Sequence, residues 1–207
     1  MKDDVSLWKE KITNVKNITD DDFDLILPEP LRLLSPYQWT SVSVIKSISE
    51  YLKTEKVTSF VDLGSGPGKL AILLSLWNSF PVTGVEIRKE LFQFADFWKK
   101  KLDIGHLKFL QRDFLNFDIS LYSHVYCFNP LYEQMTGRHS IDESLPKSSM
   151  LYVQNLIRLK EKFKELKPGT KIITYYGFGG RMPSDFKRIR KIGSSSDELE
   201  VWEKLRI

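Results

Sequence analysis

Asp62, Gly64, Gly66, Gly68 and Glu86 are the residues whose types and spacing first point to chemistry. The three glycines alternate between two apolar runs, Ser59-Phe-Val-Asp-Leu63 and Leu70-Ala-Ile-Leu-Leu-Ser-Leu-Trp77. The first run has the length and β-favouring residues of a buried strand, and the second has those of a helix packed on a sheet. Glycines at a strand-to-helix turn admit positive φ and let a ligand approach main-chain atoms closely. The helix N-terminus adds unpaired N–H groups and a partial positive charge. Together these predict a nucleotide-like ligand. Glu86 closes the next apolar segment, Pro81-Val-Thr-Gly-Val85. A doubly wound α/β fold places a carboxylate there, about 20 residues past the glycines, to accept both ribose hydroxyls of an adenosine.

Further candidates fall at the ends of later apolar segments. Arg112-Asp113-Phe114-Leu115 follows a strand over His106–Gln111, and Asn129-Pro-Leu-Tyr132 follows one over His124–Phe128. Upstream, Pro28-Glu-Pro30 breaks the preceding pattern and marks a connector, and Leu33-Leu-Ser-Pro-Tyr-Gln-Trp-Thr-Ser41, with Tyr37 and Thr40, follows it ahead of the next helix. Pro130 is expected to hold Asn129 in extended conformations, which aims its amide one way.

The elements that must position these residues alternate along the chain. Helical patterning surrounds Val5, Leu7, Trp8 and Ile12, and the acidic run Asp20-Asp-Asp-Phe-Asp24 is expected to be a solvated face or helix start. Helices are predicted over Val42–Leu52, Arg88–Lys101 and Met150–Leu166, a fifth strand over Lys171–Tyr176, and a closing strand pair around Gly193-Ser-Ser-Ser196. The polar, aperiodic stretch from Gln134 to Ser149 is expected to be a loop. Alternating strands and helices followed by a strand pair predict an α/β fold: a doubly wound parallel sheet with one antiparallel strand. Right-handed crossovers put its ligand at the carboxyl edge. Asp62, Gly64, Gly66, Glu86, Asp113 and Asn129 all belong to that edge.

At 207 residues the chain fits one domain, with at most an N-terminal appendage. Its 42% hydrophobic and 28% charged residues are those of an ordinary globular protein. No apolar run approaches the roughly 18 to 20 residues of a membrane span, and Met1-Lys-Asp-Asp-Val lacks a signal-peptide core. A single cysteine, Cys127, excludes an internal disulfide framework and any cysteine-cluster metal site, so no metal is expected and a cytoplasmic location is. The net charge of +4 permits an acidic or nucleic-acid partner without requiring one. The cluster Lys187-Arg188-Ile189-Arg190-Lys191 is short and reads as a solvated strand edge, and His106, His124 and His139 as ordinary surface or strand residues.

The spacing Asp62-x-Gly64-x-Gly66-x-Gly68 departs from the Gly-x-Gly-x-x-Gly of dinucleotide enzymes and resembles motif I of the class I S-adenosylmethionine (SAM)-dependent methyltransferases. A pyrophosphate gains little from a neighbouring Asp62, whereas the cationic methionine end of SAM does. SAM is therefore the expected cofactor, with NAD the alternative. From Ser41 to its end the chain resembles this class, nearest the non-SET histone-lysine methyltransferases and their bacterial relatives. Tyr37-Gln-Trp-Thr40-Ser41 is similar to that group's Tyr-x-x-Thr-Ser loop over SAM, and Gly84-Val-Glu86 to its ribose-binding strand end. Arg112-Asp113-Phe114-Leu115 matches its adenine-holding loop, and Phe128-Asn129-Pro130-Leu131-Tyr132 sits where it has an Asn-Asn-Phe type segment beside the transferred methyl. Asn129-Pro-Leu-Tyr132 also resembles the Asn-Pro-Pro-Tyr signature of amino-group methyltransferases acting on adenine or glutamine, with Leu131 in place of the second proline.

The resemblance implies a seven-stranded mixed sheet of order 3-2-1-4-5-7-6 with helices on both faces. Residues 1–40 become an N-terminal helical extension and cofactor-covering loop, and 41–207 the methyltransferase domain. Tyr37, Thr40, Asp62, Gly64, Gly66, Glu86, Asp113, Phe114 and Asn129 are then expected to bind SAM, and Asn129 and Tyr132 to serve catalysis. The expected reaction is N-methylation of a protein lysine side chain, with a small molecule or nucleic-acid base as the alternative acceptor and no membrane partner.

Overall fold

The computed structural model describes residues 4–135, 137–138, 140–192 and 198–206. Seven strands form one sheet in the order β3-β2-β1-β4-β5-β7-β6. The strands are β1 (Phe60–Leu63), β2 (Val82–Glu86), β3 (Leu107–Gln111), β4 (His124–Phe128), β5 (Lys171–Tyr175), β6 (Phe186–Ile192) and β7 (Leu199–Lys204). The first five run parallel and β7 runs antiparallel between β5 and β6. The expected order and mixed character both hold. The turn joining β6 to β7, predicted around Gly193-Ser-Ser-Ser196, lies outside the described residues.

Alternation along β1 shows how the sheet separates two cores. Phe60 joins the apolar cluster that contains α4 (Val42–Lys53), α5 (Lys69–Trp77) and α6 (Lys89–Lys101), whereas Val61 and Leu63 join the cluster under α7 (Ser149–Lys164). Helices thus cover both faces, as side chains of period two on a fully buried strand require. α5 is buried continuously from Lys69 to Ser75 because the sheet lies on one side and further helices on the other. That explains a helix apolar all round.

Those outer helices come partly from the N-terminal segment. α1 (Asp4–Thr13), α2 (Asp20–Asp24) and α3 (Glu29–Gln38) precede α4, and Trp8, Ile12, Ile18, Phe23 and Leu27 are buried with Leu70–Leu74. Thr19 caps α2 in a reciprocal capping box with Asp22. One expectation fails here. The stretch 33–38 is helical rather than a loop: Pro30 sits at the start of α3, where its missing N–H costs nothing. The prolines begin a helix instead of breaking one. The acidic run does start a helix, as expected, and its last member, Asp24, is buried.

Among the described residues no helix is long and apolar enough to cross a membrane. No group of three or more His, Cys, Asp or Glu among them is placed to hold a metal ion.

Candidate cofactor and acceptor site

Parallel strands release their following loops at one edge, and there the structure opens a cavity of about 1140 Å³. Tyr37, Thr40, Asp62, Gly64, Gly66, Glu86, Asp113, Phe114, Asn129 and Tyr132 all contribute to its walls. Typical ligand sites occupy roughly 300–1,000 Å³, so the cavity has room for a cofactor and an acceptor together.

The glycine turn is shaped by close packing. A Cβ on Gly66 would stand 2.8 Å from the Trp39 ring, and one on Gly68 2.7 Å from Phe109. Both glycines have positive φ, +55° and +86°, so a side chain would be strained as well as crowded. Glu86 is pinned beside the turn: Gly66 N–H donates to Oε2 and Arg88 N–H to Oε1, each at 2.8 Å. Each carboxylate oxygen retains a lone pair for a hydroxyl donor. Burial raises the Glu86 pKa, opposed by these two N–H bonds.

Asp62 is 4% exposed, and its pKa is pushed up to about 8 by desolvation and by the neighbouring charge of Glu86. No hydrogen bond relieves it among the described residues. Ser65 Oγ is also buried without a partner. A buried acid and a hydroxyl on the same cavity, neither with a hydrogen-bond partner among the described residues, fit a ligand bearing positive charge and polar hydrogens, as the methionine end of SAM does. The residues present therefore fit SAM. Asp113 is engaged differently: its carboxylate caps the short 3₁₀ turn Phe114–Asn116, accepting from Leu115 N–H at 2.9 Å and from the Asn116 amide.

The acceptor side is built from the ends of β4 and β5. Asn129 departs from the expectation of extended backbone, having φ +37°. Its N–H reaches both Tyr175 O and Gly177 O at 3.2 Å. Those bonds tie the end of β4 to β5 and override the preference that Pro130 imposes. Tyr176 is also left-handed, at φ +53°, so both strand ends carry strained backbone next to the cavity. The Asn129 side-chain amide makes no hydrogen bond among the described residues. Phe128, Tyr175 and Tyr176 form a ring cluster, with centroids 4.7 Å apart for Phe128–Tyr175 and 4.5 Å for Tyr175–Tyr176.

Thr40 bonds Tyr126 hydroxyl to hydroxyl at 2.7 Å beneath the cavity floor, whereas Tyr37, on the last turn of α3, is 77% exposed. His124 is buried on β4, its pKa lowered by desolvation to about 4, and His139 lies outside the described residues.

Sequence reasoning passed over two charged residues. Lys69, at the first turn of α5, is 2% exposed and donates to Asp24 Oδ1 at 2.9 Å and to Ser35 Oγ at 3.1 Å, with Asp20 at 2.7 Å. Burial and the positive helix end both disfavour an ammonium there, so the acidic run of α2 supplies its counter-charges. The second is Arg88, 7% exposed, whose guanidinium meets Glu133 and Asp142. A cation in the first turn of an otherwise apolar helix was the one signal that would have exposed Lys69. Nothing local marked Arg88.

Comparison with known proteins follows from this geometry. The family model described as "Methyltransferase domain" matches residues 54–173. No curated protein sequence matches. Among solved structures, an RNA methyltransferase from Salinibacter ruber in complex with S-adenosyl-L-homocysteine is similar at 20% identity and TM-score 0.56, over 80% of this chain and 92% of that one. PH0226 protein from Pyrococcus horikoshii OT3 is similar at 15% identity and TM-score 0.56, over 86% and 93%. TrmN from Thermus thermophilus gives 14% identity and TM-score 0.57, over 80% of this chain and 49% of that one. At such identities these likenesses concern the fold. The family match spans more than half of the sequence and falls on the strands that carry the glycine turn, Glu86 and Asn129; the chain belongs to the methyltransferase domain family and is a class I, SAM-dependent methyltransferase.

Proposed function

We propose that this enzyme methylates an amino nitrogen, and that its acceptor is a lysine side chain of a protein. One observation carries the reading: the Asn129 amide, without a hydrogen-bond partner among the described residues, lines the cavity together with the ring cluster of Phe128, Tyr175 and Tyr176. Bound SAM supplies a methyl group already activated on a sulfonium sulfur. The chain's own task is alignment, worth up to roughly 7–11 kcal/mol in the best cases. A lysine must also shed its proton, which from pKa ~10.4 costs about 4 kcal/mol near neutral pH. An apolar, ring-lined channel lowers that cost by disfavouring the ammonium. Asn129 Oδ1 accepts a hydrogen bond from the neutral amine and turns its lone pair toward the methyl group. Tyr132 closes the same wall.

On the cofactor side, Glu86 receives the ribose hydroxyls, Asp62 faces the cationic methionine arm, and Asp113 with Phe114 flanks the adenine. Gly64, whose missing side chain leaves open space, keeps the turn open to main-chain approach, and Gly66 lets the turn pack against Trp39 at the cavity. Residues 1–40 act as an extension that brings Tyr37 and Thr40 to the cavity in front of a methyltransferase domain spanning 41–207.

A second reading, methylation of an exocyclic amine on a nucleic-acid base, draws on Asn129-Pro-Leu-Tyr132 and on the exposed cations Lys187, Arg188, Arg190 and Lys191 of edge strand β6. Glu200 pairs with Arg188 and Glu203 lies opposite Lys187, which weakens that surface as a phosphate track. Incubating the enzyme with methyl-radiolabelled SAM and a size-fractionated cell extract separates the readings. Label in a protease-sensitive, nuclease-resistant band is expected. Label in a nuclease-sensitive or small-molecule fraction would overturn the lysine assignment.

A further inference from the structure

Arg88 stands two residues beyond Glu86, and its side chain leaves the cofactor wall to hold a separate segment. Nη2 donates to Glu133 Oε2 at 2.8 Å, and Nε donates to the Asp142 carboxylate at 3.1 and 3.2 Å. Glu133 Oε2 also accepts from Ile141 N–H at 2.8 Å, and Asp142 Oδ1 from Ser144 N–H at 2.9 Å. One guanidinium thus fastens the leading half of a strap, residues 140–146, directly at Asp142 and through Glu133 at Ile141, and Ser140, Ile141, Leu145 and Pro146 of that strap line the same cavity as Glu86 and Phe114. The Arg88 side chain is 5% exposed, Glu133 18% and Asp142 43%. The clasp is therefore buried at Arg88, on the cavity wall, and wet at Asp142, where water competes for it.

We propose that Arg88 is a positioning residue that gates cofactor exchange: its clasp on Glu133 and Asp142 holds the 140–146 strap across the cavity, and product S-adenosylhomocysteine leaves when the clasp opens. The backbone supplies the coupling. Arg88 N–H donates to the Glu86 carboxylate, so the residue that receives the ribose and the residue that holds the strap share one short turn. A bidentate guanidinium suits this role because its planar fork engages two carboxylates in fixed directions, which a lysine ammonium does not. The proposal rests on the adenosine placement given above, which Glu86→Ala tests separately. An affinity unchanged in that variant would overturn the adenosine placement whatever the Arg88 variants do; a loss of at least about tenfold is expected, as removal of charge-assisted hydrogen bonds requires.

Stopped-flow binding of S-adenosylhomocysteine to the full chain measures exchange directly, with Trp39 beside Gly66 as an internal fluorophore. Arg88→Met is expected to raise the dissociation rate at least about tenfold without slowing association, and Arg88→Lys to restore it only in part. Glu133→Gln, which keeps the shape of the side chain, is expected to move the same rate in the same direction. The double variant should add little to Arg88→Met, since both break one clasp. A dissociation rate unchanged in both single variants, with only a lower melting temperature, would reduce the cluster to internal ion pairing and overturn the proposal. Slower association would overturn it as well.

Discussion

Asp62 offers the sharpest test of the cofactor site, because its environment fixes a sign and a size. Its carboxyl is buried, makes no hydrogen bond among the described residues, and is raised to about 8 from an ordinary value of 3.8. The folded state therefore holds this proton more tightly than the unfolded chain does. Its contribution favours folding at low pH and is withdrawn as pH climbs from about 4 to 8. At roughly 1.36 kcal/mol per pH unit, ionising Asp62 costs about 1.4 kcal/mol at pH 7 and twice that at pH 6. A SAM cation that binds the carboxylate form must meet this cost, so affinity is expected to rise about tenfold from pH 6 to pH 7. Binding at pH 7 should release ~0.9 proton. Calorimetry at both pH values, in two buffers of different ionisation enthalpy, reads both quantities. Below about pH 7.7 the ligand's α-amino group remains protonated, and Asp62→Asn removes the acid while preserving its shape. The variant should bind more weakly at pH 7, with little dependence on pH between 6 and 7. A wild-type affinity that is flat over this interval, or a slope that survives in Asp62→Asn, would refute the assignment.

Three further outcomes are expected. Asn129→Ala should leave SAM affinity within a few-fold but lower turnover roughly a hundredfold, near the low end for losing one positioned polar group; separate binding and labelling assays tell the two apart. Lys69→Met leaves Asp24 buried without its counter-charge, and breaking such a pair costs about 3–5 kcal/mol. By thermal denaturation this amounts to a melting temperature lower by about 6–20 °C for a chain of this size. Hydrogen exchange over Pro36 to Ser41 should slow on adding S-adenosylhomocysteine, because segments covering a ligand are commonly mobile until it arrives; equal exchange with and without ligand would make that segment a plain connector.

The sheet was legible because each of its signals is local. Phe60-Val-Asp-Leu63, the glycine turn and Glu86 state strand, turn and strand end within one short stretch of sequence, and the structure keeps them in place. The start of α3 was misread because proline has two meanings, and only the location of the helix start decides between breaking and beginning one. Asn129 was misread for a related reason. Pro130 constrains its neighbour through local sterics, but the carbonyls of Tyr175 and Gly177, more than 40 residues away in sequence, draw its N–H into a left-handed turn. The charge pairs were the least legible. Lys69 with Asp24 and Arg88 with Glu133 are each separated by 45 residues, and no periodicity links a cation to an acid at that distance. The acidic run of α2 was legible as a helix start, but not as the counter-charge of Lys69, because that partner lies in another element.

That separation has a consequence in time. During synthesis the chain emerges at about 5–20 residues per second, so Asp24 precedes Lys69 by about 2–9 s. Over that interval Trp8, Ile12 and Phe23 have no α5 to pack against, since α5 begins at Lys69. The segment waits with its apolar side chains uncovered, and what keeps it from sticking to its neighbours is the run of four aspartates from Asp20 to Asp24. The carboxylates that later neutralise a buried ammonium serve first as the solubilising charge of an unfinished chain, and the arrival of Lys69 ends that duty as it locks the N-terminal helices onto the cofactor turn.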